Sequence, residues 1–382
     1  MIKMLNAFTD EIDDPETAVT ELLEQVDPDN KLLANSVGIV HCFSEFLDSG
    51  VVKALSGKLP FDVVGTTTMS LSTSSFISDM GLSLTVLTSD TVKFISGVSA
   101  PINDSVDGPL AELYNGIAAA EKPSLLMPFI PFMITVGGDE FIEKLDSLSG
   151  GIPAFGTLAI SNEPDYSKSY TIYKGRGYAA SMVLLALVGC VDPVFLSVSV
   201  NKESILKQKA VITGINRNIL QTINNIPAVT YLESTGLVKD NDVAALASIP
   251  FVIQLEDGST LIRAVISSTG DGGVILCGAA PVNSTLALAL MSQEEVIAST
   301  AGKVQEALEK ARGRGILMYS CAGRNWVLGV QILAEHEKVK ECIGSKAPYY
   351  FVYSGGEIFP SFLDNGSVVN HLQNDSLIIC IL

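Results

Sequence analysis

Short apolar runs, each stopped by a turn of small or polar residues, recur along this chain and restrict it to a sheet-rich fold. The clearest pair lies near the end: Gly315-Ile-Leu-Met-Tyr-Ser-Cys-Ala-Gly-Arg324 and Tyr350-Phe-Val-Tyr-Ser-Gly-Gly-Glu-Ile358. Between them Asn325 to Ile343 reads as one helix, closed by Gly344. A buried strand, a crossover helix and a second buried strand predict a parallel pair inside a larger sheet. The two turns place a thiol (Cys321), a guanidinium (Arg324) and a carboxylate (Glu357) at the ends of neighbouring strands.

The same order stands twice earlier. Ser36 to Ser44 reads as a strand, Val51 to Leu59 as a helix and Phe61 to Thr68 as a strand, with Gly81 to Leu87 and Val92 to Val98 following as a strand pair joined at Ser89-Asp90. Then come Ser124 to Ile130, a helix from Phe141 to Leu148, Ile152 to Thr157, and a strand pair, Ser169 to Lys174 and Ala179 to Val188. Gly65-Thr66 and Gly156-Thr157 stand 156 − 65 = 91 residues apart in matching contexts, which reads as an internal repeat, with Gly355 at the corresponding place of a third copy. The predicted fold is α/β: mixed β-sheets with flanking helices, built from repeated strand–helix–strand–hairpin units in two tightly packed halves, 1–200 and 201–382. The second half opens with a hairpin (Ala210 to Asn218, Ile219 to Ile226) and a short helix after Pro227. A helix over 240–248 and strands at Phe251 to Leu255, Leu261 to Ser267, Gly273 to Cys277 and Ser284 to Leu290 follow. Ser292-Gln-Glu-Glu295 is a capping box that starts the clearest helix of the chain.

Composition narrows the function. A 47% hydrophobic and 17% charged chain must cover its sheets on both faces. No apolar run approaches the roughly 20 residues of a membrane-spanning helix; Leu125 to Ile134 is short and holds two prolines. With no secretory signal at Met1-Ile-Lys-Met, a cytoplasmic protein is expected. A net charge of −18 disfavours nucleic acid and anionic membranes as partners. Six scattered cysteines without a CxxC pair, and three scattered histidines, argue against a metal site or a disulfide framework. Gly137-Gly138 and Gly270-Asp-Gly-Gly273 lack the spacing of phosphate loops, so no cofactor is expected.

Several segments, taken in order, resemble the FIST C-terminal domain: Ala210-Val-Ile-Thr, Ile226-Pro-Ala-Val-Thr-Tyr231, Leu261-Ile-Arg-Ala264, Ser320-Cys-Ala-Gly-Arg324, Tyr353-Ser-Gly-Gly-Glu-Ile-Phe-Pro360 and Asn374-Asp-Ser-Leu377. Cys42-Phe-Ser44, after its apolar strand, and Val63-Val-Gly-Thr-Thr-Thr68 resemble the FIST N-terminal domain. The resemblance implies a sensory module of signalling proteins that binds a small molecule such as an amino acid. It also implies a separate signalling output protein as partner.

Within that frame Arg324 is a candidate clamp for a ligand carboxylate, or the partner of Glu357 across the two turns. Glu357 is a candidate for an amino group, with backbone donors near Gly323 and Gly356 completing the site. Arg263, on an alternating strand, points into the same cleft or to the surface. Cys321 is the one candidate nucleophile, and no histidine base accompanies it in the motif. The leading expectation is a ligand-binding sensor. The alternatives are an enzyme of acyl or amide chemistry using Cys321 with Arg324 and Glu357, and a partner-binding protein without a ligand.

Overall fold

The computed structural model describes residues 2–119, 121–163, 165–239, 246, 248–255 and 260–382. The chain begins with β1 (Lys3–Thr9), α1 (Pro15–Val26), the short α2 (Pro28–Lys31), β2 (Asn35–Cys42), the short α3 (Glu45–Asp48), α4 (Val51–Lys58), β3 (Val63–Thr67), a hairpin of β4 (Leu71–Thr73) and β5 (Ile77–Ser78), and β6 (Leu82–Ser89). The order returns as β7 (Lys93–Val98), α5 (Asp107–Ala118), β8 (Leu125–Ile130), α6 (Gly138–Ser149), β9 (Gly156–Leu158), a hairpin of β10 (Thr171–Tyr173) and β11 (Arg176–Tyr178), and β12 (Val183–Val188).

A third unit starts with β13 (Val194–Val198) and is then interrupted. The interruption holds β14 (Ile205–Asn216), β15 (Ile219–Ile223), β16 (Ile226–Pro227), α7 (Ala228–Ser234), β17 (Phe251–Gln254), β18 (Thr260–Arg263), β19 (Val265–Ser268), β20 (Val274–Leu276) and β21 (Thr285–Ala289), all in one antiparallel sheet apart from the helix. The unit resumes with α8 (Gln293–Ala311), β22 (Ile316–Cys321), α9 (Ala322–Leu328), α10 (Ala334–Ile343), β23 (Tyr349–Ser354), a hairpin of β24 (Glu357–Phe362) and β25 (Val368–Gln373), and β26 (Leu377–Ile381).

The remaining three sheets have orders β1-β6-β2-β3-β10-β11, β7-β12-β8-β9-β24-β25 and β13-β26-β22-β23-β4-β5. Read in this direction they correspond strand for strand. Each is mixed, with one parallel pair: β2 with β3, β8 with β9, β22 with β23. Each unit's hairpin leaves its own sheet and pairs with the second parallel strand of a neighbour: β4 on β23, β10 on β3, β24 on β9. The exchange closes a ring of three.

The register fixes equivalent positions. Thr171, Thr66, His41 and Ser83 form one cross-sheet row. Glu357, Thr157, Phe129 and Val183 form the second. Leu71, Val352, Tyr319 and Ile378 form the third. The side chains of the first parallel strand in these rows meet at the centre: His41 lies 6.4 Å from Phe129 and 5.6 Å from Tyr319, ring to ring. Around them Met127, Phe155, Leu185, Tyr350 and Ile378 fill one core shared by the three sheets. His41 has polar company there, with Nδ1 3.2 Å from Thr66 Oγ1 and Nε2 3.4 Å from Tyr319 Oη. Burial pushes its pKa down to about 3, so the ring is neutral.

Local chemistry explains the helix starts. Asp14 accepts from the N–H groups of Glu16 and Thr17 at the head of α1, and Ser292 Oγ accepts from Glu295 N at the head of α8. Gly65 is required where it stands: its φ is +151°, and an added Cβ would overlap the carbonyl of Val40 on the adjacent strand.

The strand–helix–strand repeat is present, with four corrections to the sequence reading. The third-copy counterpart of Gly65 and Gly156 is Phe351, which pairs with Ser72 as Gly65 pairs with Ile172 and Gly156 with Ile358; Gly355 lies beyond the strand. The pairs expected at 81–98 and at 169–188 do not form, because β6 and β7 go to different sheets, as do β10 and β12. The helix expected over 325–343 is two helices, broken at Gly329 with φ +58°. Leu261 to Ser267 is likewise two strands, parted at Ala264. The helix expected over 240–248 falls mostly outside the described residues.

Candidate functional site

Arg324 is fully buried, and its carboxylate partner is Glu335 of α10. Its Nη2 donates to Glu335 Oε1 at 2.9 Å, Thr300 Oγ1 at 2.8 Å and Val296 O at 3.2 Å. Glu335 also accepts from Ser320 Oγ at 3.0 Å and Tyr353 Oη at 2.8 Å. The pairing with Glu357 drawn from the sequence is therefore replaced. The break at Gly329 turns the chain back along α8, and this inserts Glu335 beside the guanidinium. Among the described residues, Nη1 of Arg324 finds no hydrogen-bond partner.

Arg263 is buried elsewhere. It ion-pairs with Asp139 at the start of α6 (Nη2 to Oδ1, 2.7 Å) and donates to Leu372 O at 3.0 Å and Ala279 O at 2.8 Å. It ties the inserted sheet to the second unit and to the β24–β25 hairpin, and it borders a 510 Å³ groove with Glu143, Asp146 and His371. It does not line the cleft that holds Cys321.

That cleft, about 20 Å³ in volume, opens where three parts of the chain meet. Phe132, Ile160 and Tyr166 come from the second unit; Ala264, Val265, Ile266 and Cys277 from the inserted sheet; Cys321, Ala322, Gly323, Trp326 and Gly355 from the third unit. Tyr166 sits between Phe132 at 4.9 Å and Trp326 at 6.5 Å, ring centre to ring centre, on a backbone with φ +57°.

Glu357 and Asp375 lie close behind Cys321: both carboxylates act on its thiol, and burial together with their charge pushes that thiol well above its ordinary pKa. Both are buried. Glu357 Oε2 accepts from Ser376 Oγ at 2.8 Å, whereas among the described residues its Oε1 and both oxygens of Asp375 find no hydrogen-bond partner. Burial raises the Glu357 carboxyl well above the usual carboxylate range and lifts Asp375 to about 7. Asp375 occupies a left-handed turn (φ +51°) whose neighbours are pinned: Asn374 Oδ1 accepts from Ala264 N at 3.2 Å, and Ser376 O accepts from Cys321 N at 2.9 Å. Gly356 N is occupied by Ser354 Oγ at 3.1 Å.

The structure thus brings Cys321 and Gly323 to one cleft, with Glu357 behind it and Gly356 in the adjoining turn. Arg324 does not line that cleft, and Arg263 stands at a separate groove. Asp375, Tyr166, Phe132 and Cys277 were not singled out from the sequence. The signal for Asp375 was available, since it sits inside Asn374-Asp-Ser-Leu377; Tyr166 and Phe132 carry no local signature. Among the described residues no cluster of three or more His, Cys, Asp or Glu side chains is placed to hold a metal ion. No described helix is long and apolar enough to cross a membrane.

Buried carboxyl groups with unpartnered oxygens lie at strand ends behind an aromatic cleft. Residues 36–226 match the FIST N domain and residues 228–360 the FIST C domain, and the chain belongs to the FIST family, whose domains are small-ligand sensory modules of signalling proteins. No curated protein matches the chain. Among solved structures, a cyanuric acid hydrolase from A. caulinodans aligns over 100% of this chain and 99% of its own, at 8% identity and a TM-score of 0.38. PurLQS from Thermotoga maritima aligns over 100% and 72%, at 10% identity and a TM-score of 0.20. Scores this low define neither the fold nor the activity.

Proposed function

We propose that this chain senses a small metabolite through its ammonium group, an amino acid being the class that fits, and passes the ligand-bound state to a separate signalling protein. Three buried carboxylate oxygens without a partner, one on Glu357 and two on Asp375, carry the reading. A primary ammonium has three N–H donors, one for each. Leaving such acceptors unmatched costs free energy, and a cationic ligand relieves that cost. The repeat supports the same location: where Glu357 stands in its row, the equivalent residues are Thr171 and Leu71, so one unit in three carries a carboxyl there.

The alternative of acyl or amide chemistry at Cys321 meets an environment that suppresses the thiolate, since burial, Glu357 and Asp375 all favour the neutral thiol.

The test is calorimetric and thermal-shift titration of the full chain with glycine, alanine, methylamine and acetate, repeated on Glu357→Gln. Ligand at about a hundred times its dissociation constant adds about 2.7 kcal/mol of stability. Stabilisation by the ammonium compounds, lost in a folded Glu357→Gln protein, is the expected result. Equal binding by the variant refutes the assignment.

A further inference from the structure

In a chain with 42 acidic and 24 basic residues, an arginine has many carboxylates within reach. Of the six arginines, Arg217, Arg263 and Arg324 each pair with one. Two of the other three, Arg312 and Arg314, stand together on a groove of about 480 Å³, and neither forms an ion pair among the described residues. Arg312 and Gly313 both have left-handed backbones (φ +50° and +86°), so the chain bends sharply between α8 and β22 and brings both arginines to the groove. Arg314 is partly engaged by the fold: Nη1 donates to Asp192 O at 2.8 Å, and Nε and Nη2 donate to Ala311 O and Lys310 O at 3.4 and 3.5 Å. Two of its five N–H donors remain. Arg312 is exposed, and its side chain has no hydrogen bond among the described residues. Lys3, the third cation of the groove, donates to Lys31 O at 3.3 Å. The acid that lines it, Asp90, accepts from Ala34 N at 3.2 Å and pairs with none of the three. Ile2, Met4 and Leu33 line the same groove, so the cations stand beside apolar surface. Gly315 and Pro348 place it at the starts of β22 and β23, whereas Cys321 and Gly355 stand at the ends of those strands.

We propose that the groove of Lys3, Arg312 and Arg314 is a docking surface for an acidic segment of a partner protein. The guanidiniums hold carboxylates of the segment in bidentate fashion, and an apolar side chain of the segment rests against Ile2, Met4 and Leu33. A small anion bound here would stay largely in water, because Lys3, Arg312 and Gly313 are exposed, whereas small-molecule sites enclose most of their ligand. A protein segment brings its own cover, and arginine beside apolar surface is the composition of interface anchors. The net charge of −18 repels an acidic partner elsewhere on the surface, so this groove fixes where such a partner lands. The proposal extends the reading that a separate signalling protein receives the ligand-bound state, and it does not depend on the ammonium site.

The experiment is a fluorescence-polarisation titration of the full chain with a labelled peptide that alternates glutamate and leucine, and with the same peptide carrying glutamine for glutamate. Wild type is compared with Arg312→Glu and with Arg176→Glu, which makes the same charge change at an exposed arginine outside the groove, each checked for an unchanged melting profile. Loss of an exposed ion pair together with the repulsion of a reversed charge is expected to weaken binding of the glutamate peptide by Arg312→Glu at least about fivefold. Arg176→Glu should bind it as wild type does, and wild type should bind the glutamine peptide at least about fivefold more weakly. Equal binding of the two peptides, equal losses in the two variants, or no peptide binding at all overturns the docking surface. Pyrophosphate bound by wild type and lost in Arg312→Glu, without peptide binding, assigns the groove to a small anion instead. None of these results bears on glycine titrated against Glu357→Gln, so the two readings fail separately.

Discussion

Replacing Glu335 by Gln tests whether Arg324 is part of the protein's structural core. The Arg324–Glu335 pair is wholly buried, and Glu335 gathers donors from Arg324, Thr300, Ser320 and Tyr353. Glutamine keeps the shape and one acceptor oxygen, and the hydroxyls of Ser320 and Tyr353 can rotate to accept from its amide. What it removes is the charge facing the guanidinium. Breaking a buried ion pair on one side costs about 3–5 kcal/mol, because the remaining charge is stranded in a poor solvent. At about 2 °C per kcal/mol, the lower end of the range for large domains, Glu335→Gln should melt roughly 6–10 °C below wild type. Urea unfolding followed by circular dichroism gives the free energy directly. The double variant Arg324→Met, Glu335→Leu removes both charges and should recover part of the loss, limited by the hydroxyls left without an acceptor. A Glu335→Gln protein that melts within about 2 °C of wild type, or a double variant less stable than the single one, refutes the argument. The corollary concerns ligand work: Arg324→Ala is expected to lose binding by losing its fold, so the ligand assignment must be tested at Glu357.

Two further outcomes follow from the site. Asp375, lifted to about 7 by burial, keeps its proton in the folded protein at pH values where the unfolded chain has already lost it. Its contribution to stability is full below about pH 4 and is lost as pH rises through about 7, by at most ~1.4 kcal/mol per pH unit. The buried His41 and His336, both pushed down to about 3 by burial, act in the opposite sense as pH falls below about 6.5, and equally in both proteins. The stability of Asp375→Asn relative to wild type should therefore increase between pH 4 and 7 in urea titrations; a difference independent of pH refutes the linkage. In native alkylation by iodoacetamide, exposed Cys190 should label first, and buried Cys321, its thiol raised well above the ordinary range, only on unfolding. Cys321 labelling as fast as Cys190 would return weight to covalent chemistry.

The strand–helix–strand units were legible because a buried parallel pair demands continuous apolar runs, and Ser36 to Cys42, Leu125 to Ile130 and Ile316 to Ser320 all show them. The destination of each hairpin was not legible. Leu71–Thr73, Thr171–Tyr173 and Glu357–Phe362 look locally like strands that fold back on their own unit, and only the closed arrangement sends them onward. Gly355 was assigned to the wrong position because its glycine neighbours mimic the contexts of Gly65 and Gly156, while the true counterpart, Phe351, has a side chain. Cys321, Gly323 and Glu357 were found because reactive groups at strand ends stand out in sequence. Arg324 was found too, but its partner lies beyond a helix break that only Gly329 hinted at.

The hairpin exchange makes each third of the molecule the missing edge of another. Without β24 and β25 the second unit ends on β9 with exposed backbone groups, and without β4 and β5 the third ends on β23. No single unit is a closed object, so the ring melts as one body and forms only when residues far apart in sequence have met, a slow step by the ordinary relation between topology and folding rate. The same geometry could equally be closed by three separate chains of one unit each, every chain linking arms with the next. A continuous polypeptide has the freedom to make the three corners unlike, and here one corner alone has acquired buried acid and an extra sheet.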